Sequence, residues 1–296
     1  MLDGFFLIRY TYFMNSQTFQ NIPASKISPK IIAIDLDDTL LKDDLSISEF
    51  TVETLQKAAD KGIYIVLCSG RTENAILPYV RRLGLAGTEA GRYIISSNGS
   101  IIIDLHSRRE IFNRIVEAGI LEKAYNIASK NNLFCEVYDS STIYVPEDNE
   151  WTQLDVKLSG LKMEVVPDFK DFLNKGHPKM VIPGEPEQIQ NIQKELTAAI
   201  GNECVIFTSK PYFLEILPLN CGKGEALEWL SDRLNISQKD TMAFGDSMND
   251  ESMIRYAFHS TAMKNGLDKI KQQSRYITEF TNQEDGLAHF IRKHIN

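Results

Sequence analysis

The chain has 296 residues, 43% hydrophobic and 24% charged, which fits a globular protein with a sizeable core and room for two domains. A formal net charge of −8 with scattered lysines and arginines excludes a basic stripe for nucleic acid or anionic lipid. No apolar run approaches the roughly 20 residues that a membrane span needs, and four widely separated cysteines without a Cys-x-x-Cys pair read as free thiols of a reducing cytosol.

Residues 1–29 read as a loosely ordered leader. Gly4-Phe5-Phe6-Leu7-Ile8 follows Asp3 rather than basic residues and makes a poor signal peptide, and Met14 is a second candidate start. The organising stretch comes next. Ile31-Ile32-Ala33-Ile34 is a continuous apolar run, as in a strand buried on both faces at the centre of a parallel sheet. It runs directly into Asp35, Asp37 and Asp38. Ligands of such sheets collect beyond the carboxyl ends of the strands. Three repelling carboxylates there suit a bound cation, and an acidic turn that caps the following segment is the alternative.

Ser46-Ile47-Ser48-Glu49 has the spacing of a capping box ahead of the stripe Val52, Leu55, Ala58 and Ala59, and Gly62 closes that helix. Ile63 to Cys68 is a second buried strand, completing a β-α-β unit. It ends in Ser69-Gly70-Arg71, which offers either a hydroxyl and an amide to a phosphate or an ordinary turn before the next helix. Pro78 is expected to bend or restart that helix. Tyr93 to Ser96 is a third strand, Asn98-Gly99 is most simply a turn pair, and 101–105 with 110–112 reads as a hairpin.

From 109 to 217 paired strands alternate with helices, the pattern of an inserted α+β domain, and its acidic and aromatic residues form no strong catalytic cluster. The α/β pattern resumes at 218. Lys223, between two glycines, opens a helix where its charge opposes the helix dipole. That placement suits a bound anion, or a solvated lysine on a flexible turn. Thr241 to Phe244 is a further buried strand ending in Gly245-Asp246-Ser247-Met248-Asn249-Asp250, so acids again gather at a strand's carboxyl end. Two such clusters on parallel strands can share one metal.

Together the four clusters resemble the motifs of the haloacid dehalogenase superfamily of phosphatases, in its Cof-type branch with a large α/β cap (type IIB). Asp35-Leu36-Asp37-Asp38-Thr39-Leu40 resembles the first motif, Ser69-Gly70-Arg71 the second, Lys223 the third and residues 245–250 the fourth. The likeness covers roughly 30 to 296. Ala262-Met263-Lys264-Asn265-Gly266 departs from it, the family usually having Gly followed by Asn-Ala. The resemblance implies a Rossmann-like, doubly wound core over 30–108 and 218–296 and a substrate-selecting cap over 109–217. It implies Asp35 as nucleophile, Asp37 as acid and base, and Lys223 neutralising phosphoryl oxygens. Ser69, Gly70 and Asn249 would hold the phosphoryl group, with Arg71 and Asn98 as further substrate contacts. Mg2+ would lie among Asp35, the backbone carbonyl of Asp37, Asp246 and Asp250, the last orienting the others or acting through water. The expected activity is hydrolysis of small phosphorylated metabolites, such as sugar phosphates, in the cytoplasm by a monomer or weak homo-oligomer. A phosphotransferase or mutase using the same aspartyl-phosphate is the alternative.

Overall fold

A computed structural model describes residues 26–295. Most of the expected leader, residues 1–25, lies outside the described residues. Its final part is docked: Ile27 is buried, bridges to Ile295, and its N–H donates to the His294 carbonyl at 2.7 Å.

The core sheet is built from β1 (Ile31–Asp35), β2 (Tyr64–Cys68), β3 (Tyr93–Ser96), β4 (Ile101–Asp104) and β5 (Arg109–Asn113). Strands β6–β11 belong to the insert. The sheet is completed by β12 (Thr241–Gly245), β13 (His259–Ala262) and β14 (Tyr276–Ile277). The order is β14-β13-β12-β1-β2-β3-β4-β5, parallel from β14 to β3 and antiparallel beyond. β1 and β12 are buried at every residue, as a two-sided apolar strand must be. Alternate positions serve opposite faces. Ile32, Ile34, Ile65 and Leu67 pack with α1 (Glu49–Ala59), α2 (Glu73–Arg82) and α10 (Gly286–His294); Ile31, Ala33 and Val66 pack with α7 (Lys223–Arg233) and α8 (Glu251–Tyr256). The core is therefore doubly wound, as expected.

The insert carries β6 (Glu136–Tyr138), β7 (Thr142–Val145), β8 (Lys162–Val165), β9 (Met180–Pro183), β10 (Cys204–Lys210) and β11 (Phe213–Pro218), in the order β10-β11-β9-β6-β7-β8. Its helices α3 (Ala118–Lys130) and α6 (Pro186–Ile200) cover one face through Leu121, Ala124, Ile189 and Ile192 against Val137, Met180, Ile182 and Leu214. The shorter α4 (Glu150–Ser159) and α5 (Phe169–Phe172), and α9 (Asp268–Gln273) in the core, complete the helices. The opposite face of the cap sheet, with Tyr138, Val181 and Phe213, meets the core at Ala75 of α2.

Three local expectations change. The cap of α1 is Ser48, whose Oγ accepts from the Thr51 N–H at 3.1 Å; Ser46 lies outside the helix and Glu49 is its first residue rather than the third. α2 runs through Pro78 as one element, because burial of Ile76 and Val80 outweighs the one hydrogen bond that proline withholds from the Asn74 carbonyl. The pattern change read at 109 comes later, since β5 hydrogen-bonds to β4 in the core sheet and the cap sheet ends at Pro218.

Candidate active site

Register aligns the functional loops. Asp35 pairs with Cys68 across β1 and β2, Cys68 with Ile95, Ile34 with Phe244, and Gly245 with Ala262. The residues that follow these strands therefore emerge at one edge of the sheet. After β1 the chain makes a wide turn, closed by the Leu41 N–H on the Leu36 carbonyl at 2.8 Å, with Asp38 at φ 60. Gly99, at φ +94, brings its loop against the start of α7 so closely that a Cβ there would lie 2.1 Å from the Gly222 carbonyl oxygen. That contact seats Lys223.

Lys223 is fully buried and donates to Asp35 Oδ1 at 2.5 Å and Asp250 Oδ1 at 2.7 Å. Asp250 Oδ2 accepts the backbone N–H groups of Asp246 and Ser247 at 2.9 and 3.1 Å, so Asp250 is held in place and props the lysine from behind. Asp246 Oδ1 accepts from the Thr39 hydroxyl at 2.9 Å. Carboxylate oxygens of Asp35, Asp246 and Asp250 lie within 4.8 Å of one another. Burial, followed by the charge of Asp250, pushes the Asp35 carboxyl well above its usual range and that of Asp246 up to about 7. Burial alone would lower Lys223, and the charges of Asp250 and Asp35 outweigh it, holding the ammonium above its usual value. Three carboxylates against one ammonium leave two negative charges uncompensated when all are ionised. An all-oxygen donor set with that excess fits a hard divalent cation.

Asp37 stands apart from this cluster. Arg71 grips its carboxylate with Nε at 3.0 Å and Nη2 at 2.7 Å. Burial opposes ionisation there, but the Arg71 hydrogen bonds prevail and hold Asp37 below the usual carboxylate range. The Ser69 hydroxyl accepts from the Arg71 N–H at 3.1 Å. Asn98, expected chiefly as a turn residue, is in the left-handed region at φ 53, as a turn pair requires, and is also buried at the site. It accepts from Asn249 Nδ2 at 3.2 Å and donates to Glu215 Oε2 at 2.7 Å. All eight residues expected from the first, second and fourth motifs and Asn98, together with Lys223, thus converge on one edge of the core, the Asp37 side chain being turned to Arg71.

Sequence reasoning passed over Thr39, Lys179, Glu215 and Lys210. Lys179 donates to the Gly70 carbonyl at 3.2 Å and lies 3.6 Å from Glu215. Lys210, at the tip of β10, reaches Asp38 at 3.4 Å. Glu215 had a signal: it is one charge inside Phe213-Leu214-Glu215-Ile216-Leu217, otherwise an apolar strand. The unusual loop 262–266 borders the site, as Asn265 Nδ2 donates to the Asp38 carbonyl at 2.7 Å.

Residues 32–291 match the haloacid dehalogenase-like hydrolase family. Among curated relatives, the chain is 31% identical over 290 residues to the 5-amino-6-(5-phospho-D-ribitylamino)uracil phosphatase YwtE of Bacillus subtilis, covering 88% of this chain and 96% of that protein. It is 29% identical over 293 residues to the phosphatase YwpJ of the same organism, covering 89% and 99%. Among solved structures, a haloacid dehalogenase-like hydrolase from Bacteroides thetaiotaomicron superposes with a TM-score of 0.81 at 30% identity, covering 90% of this chain and 99% of that one. With two acid clusters at adjacent strand ends, a buried lysine between them and a cap inserted ahead of that lysine, the chain belongs to the haloacid dehalogenase-like hydrolases, in their Cof-type phosphatase branch.

Proposed function

We propose that the protein hydrolyses small phosphomonoesters, sugar phosphates or related polyol phosphates, with Mg2+ and through a phosphoryl group carried on Asp35. The observation that carries this reading is the buried Asp35–Lys223–Asp250 chain beside Asp246. Lys223 takes Asp35 Oδ1 and thereby orients the carboxylate, leaving Oδ2 to attack phosphorus. Asp35, Asp246 and the Asp37 carbonyl would hold Mg2+, which supplies charge neutralisation at the phosphoryl oxygens. Asp250 keeps Lys223 and the 246–247 amides in position. The Ser69 hydroxyl, the Gly70 N–H and Asn249 would receive the phosphoryl oxygens. Asp37 would protonate the leaving oxygen and then take a proton from the water that attacks the Asp35 ester. That role would require Arg71, which holds the Asp37 carboxylate, to release part of its grip as substrate enters and turn to the phosphate instead. The ribityl phosphate in the name of the Bacillus subtilis relative is itself a polyol phosphate, which supports this substrate class.

A panel of phosphorylated metabolites assayed with Mg2+ tests the reading. EDTA should abolish phosphate release and Mg2+ restore it, while Ca2+, which tolerates looser and higher coordination, should restore little. Full activity in metal-free buffer would sink the shared-metal site. Phosphate transferred to an added sugar in place of water would favour the phosphotransferase reading.

Leaving-group dependence tests Asp37. Asp37→Asn should lower kcat/KM, which reads the leaving-group step alone, by about 10^2- to 10^4-fold for alkyl phosphates and much less for p-nitrophenyl phosphate, because nitrophenolate departs without a proton. An equal loss on both substrates would reject Asp37 as the acid.

A further inference from the structure

The cap presents to the core a row of side chains set by strand register. Glu136 pairs with Val181, Val181 with Glu215, and Glu215 with Phe207, so these four lie side by side on the face opposite α3 and α6. A purely structural seam between cap and core would be apolar, since a buried ion pair seldom stabilises more than hydrophobic residues of equal volume. This seam has an apolar part at Ala75, but it also carries buried charge. Lys179 and Glu215 are both less than 10% exposed. Each is tied to a loop of the catalytic edge, Lys179 to the Gly70 carbonyl and Glu215 to Asn98. Among the described residues both Glu215 contacts fall on Oε2, and the Lys179 ammonium donates to the Gly70 carbonyl and pairs with Glu215 at 3.6 Å. Behind them the Tyr138 ring lies 4.4 Å from Lys179 Nζ, and its hydroxyl bridges Glu136 at 2.9 Å and Asp155 at 2.6 Å. Glu136 is fully buried, yet its Oε1 has no hydrogen-bond partner among the described residues.

Such a cluster has acceptor oxygens and one donor ammonium in reserve, one residue away from the proposed phosphate-binding Ser69. Carboxylates outnumber the single lysine. A second phosphate or a carboxylate on the substrate would meet repulsion there, whereas hydroxyl groups would be met by acceptors and by the ammonium.

Resting on the proposed phosphatase function, we propose that Lys179 and Glu215 are the specificity-determining pair of the cap: they bind hydroxyl groups of an uncharged, polyhydroxylated leaving group, and the acidic wall behind them rejects substrates with a second anionic group. Asn98 then has a physical role, linking this pair to Asn249 at the acid cluster.

The test compares kcat/KM for sorbitol phosphate, fructose bisphosphate and p-nitrophenyl phosphate in the wild-type enzyme, Glu215→Ala, Glu215→Gln and Lys179→Met. In Glu215→Ala the ratio of sorbitol phosphate to p-nitrophenyl phosphate should fall about 10- to 100-fold, chiefly through KM, as a lost hydrogen bond to a charged group predicts. Glu215→Gln, which keeps an acceptor but not the charge, should recover part of that ratio and reduce the discrimination against fructose bisphosphate. Lys179→Met should lower the same ratio, which keeps the test open if Glu215→Ala melts early. An unchanged ratio in all three variants, or an equal loss on all three substrates, would overturn the proposal. A wild-type enzyme that hydrolyses none of the three would instead overturn the function on which it rests.

Discussion

Asp35→Asn is expected to lower turnover by about 10^4-fold or more while leaving the protein folded, because an amide is not a nucleophile toward phosphorus. The geometry makes this a clean substitution. Asparagine keeps an oxygen for the Lys223 ammonium, and one of three crowded acids loses its charge. The thermal midpoint should therefore stay within a few degrees of wild type. Acid-quenched wild-type enzyme given labelled substrate should retain protein-bound phosphate, and the variant none. Near-normal turnover by Asp35→Asn would dismiss the covalent route.

Lys223→Met should behave in the opposite way on stability. The ammonium is completely buried and is the cation shared by Asp35 and Asp250. Methionine fills much of the space but leaves two buried carboxylates without their partner, a change that typically costs about 3–5 kcal/mol, or on the order of 10 °C in a domain of this size. Activity should be lost together with stability, and added Mg2+ should return part of the thermal midpoint but not turnover. Scanning fluorimetry with and without Mg2+ reads both effects. A fall of less than about 1 kcal/mol would mean that protons, rather than Lys223, neutralise these acids.

The contrast between the two variants reflects what a sequence makes visible. Asp35 and Asp246 were legible because each closes or closely follows an apolar run that reads as a buried strand, and parallel strands end at one edge; Asp250 was legible only as the last acid of the cluster that opens at Asp246. Lys223 was legible from an unfavourable charge at a helix start. Lys179 and Glu215 were not, because their meaning depends on how one sheet is laid over another, and no local spacing encodes that docking. The same holds for Asp37. Its proximity to Asp35 in sequence suggested a shared cluster, but the turn at Asp38 sends its carboxylate to Arg71. Boundaries failed where local signals competed: Ser48 outranks Ser46 as the cap of α1 because its oxygen reaches the Thr51 N–H. The start of the cap was drawn through a strand already read as pairing with 101–105, and the hydrogen bonds of β5 to β4 keep that strand in the core sheet although none of its residues is buried.

The position of β1 also governs how the protein can be made. This strand lies between β2 and β12, and β12 begins only at Thr241, after the whole cap. On a ribosome adding about 5–20 residues per second, the chain from β1 to β12 takes on the order of 10–40 s to emerge. Throughout that interval β2 can cover one side of β1, while the other keeps a bare row of backbone donors and acceptors along Ile31-Ile32-Ala33-Ile34. The cap, contiguous in sequence and with its own apolar interior, can fold meanwhile. The nascent enzyme is thus a finished cap domain tethered to an unfinished, adhesive sheet, and its yield in a cell depends on that edge being shielded until translation closes it.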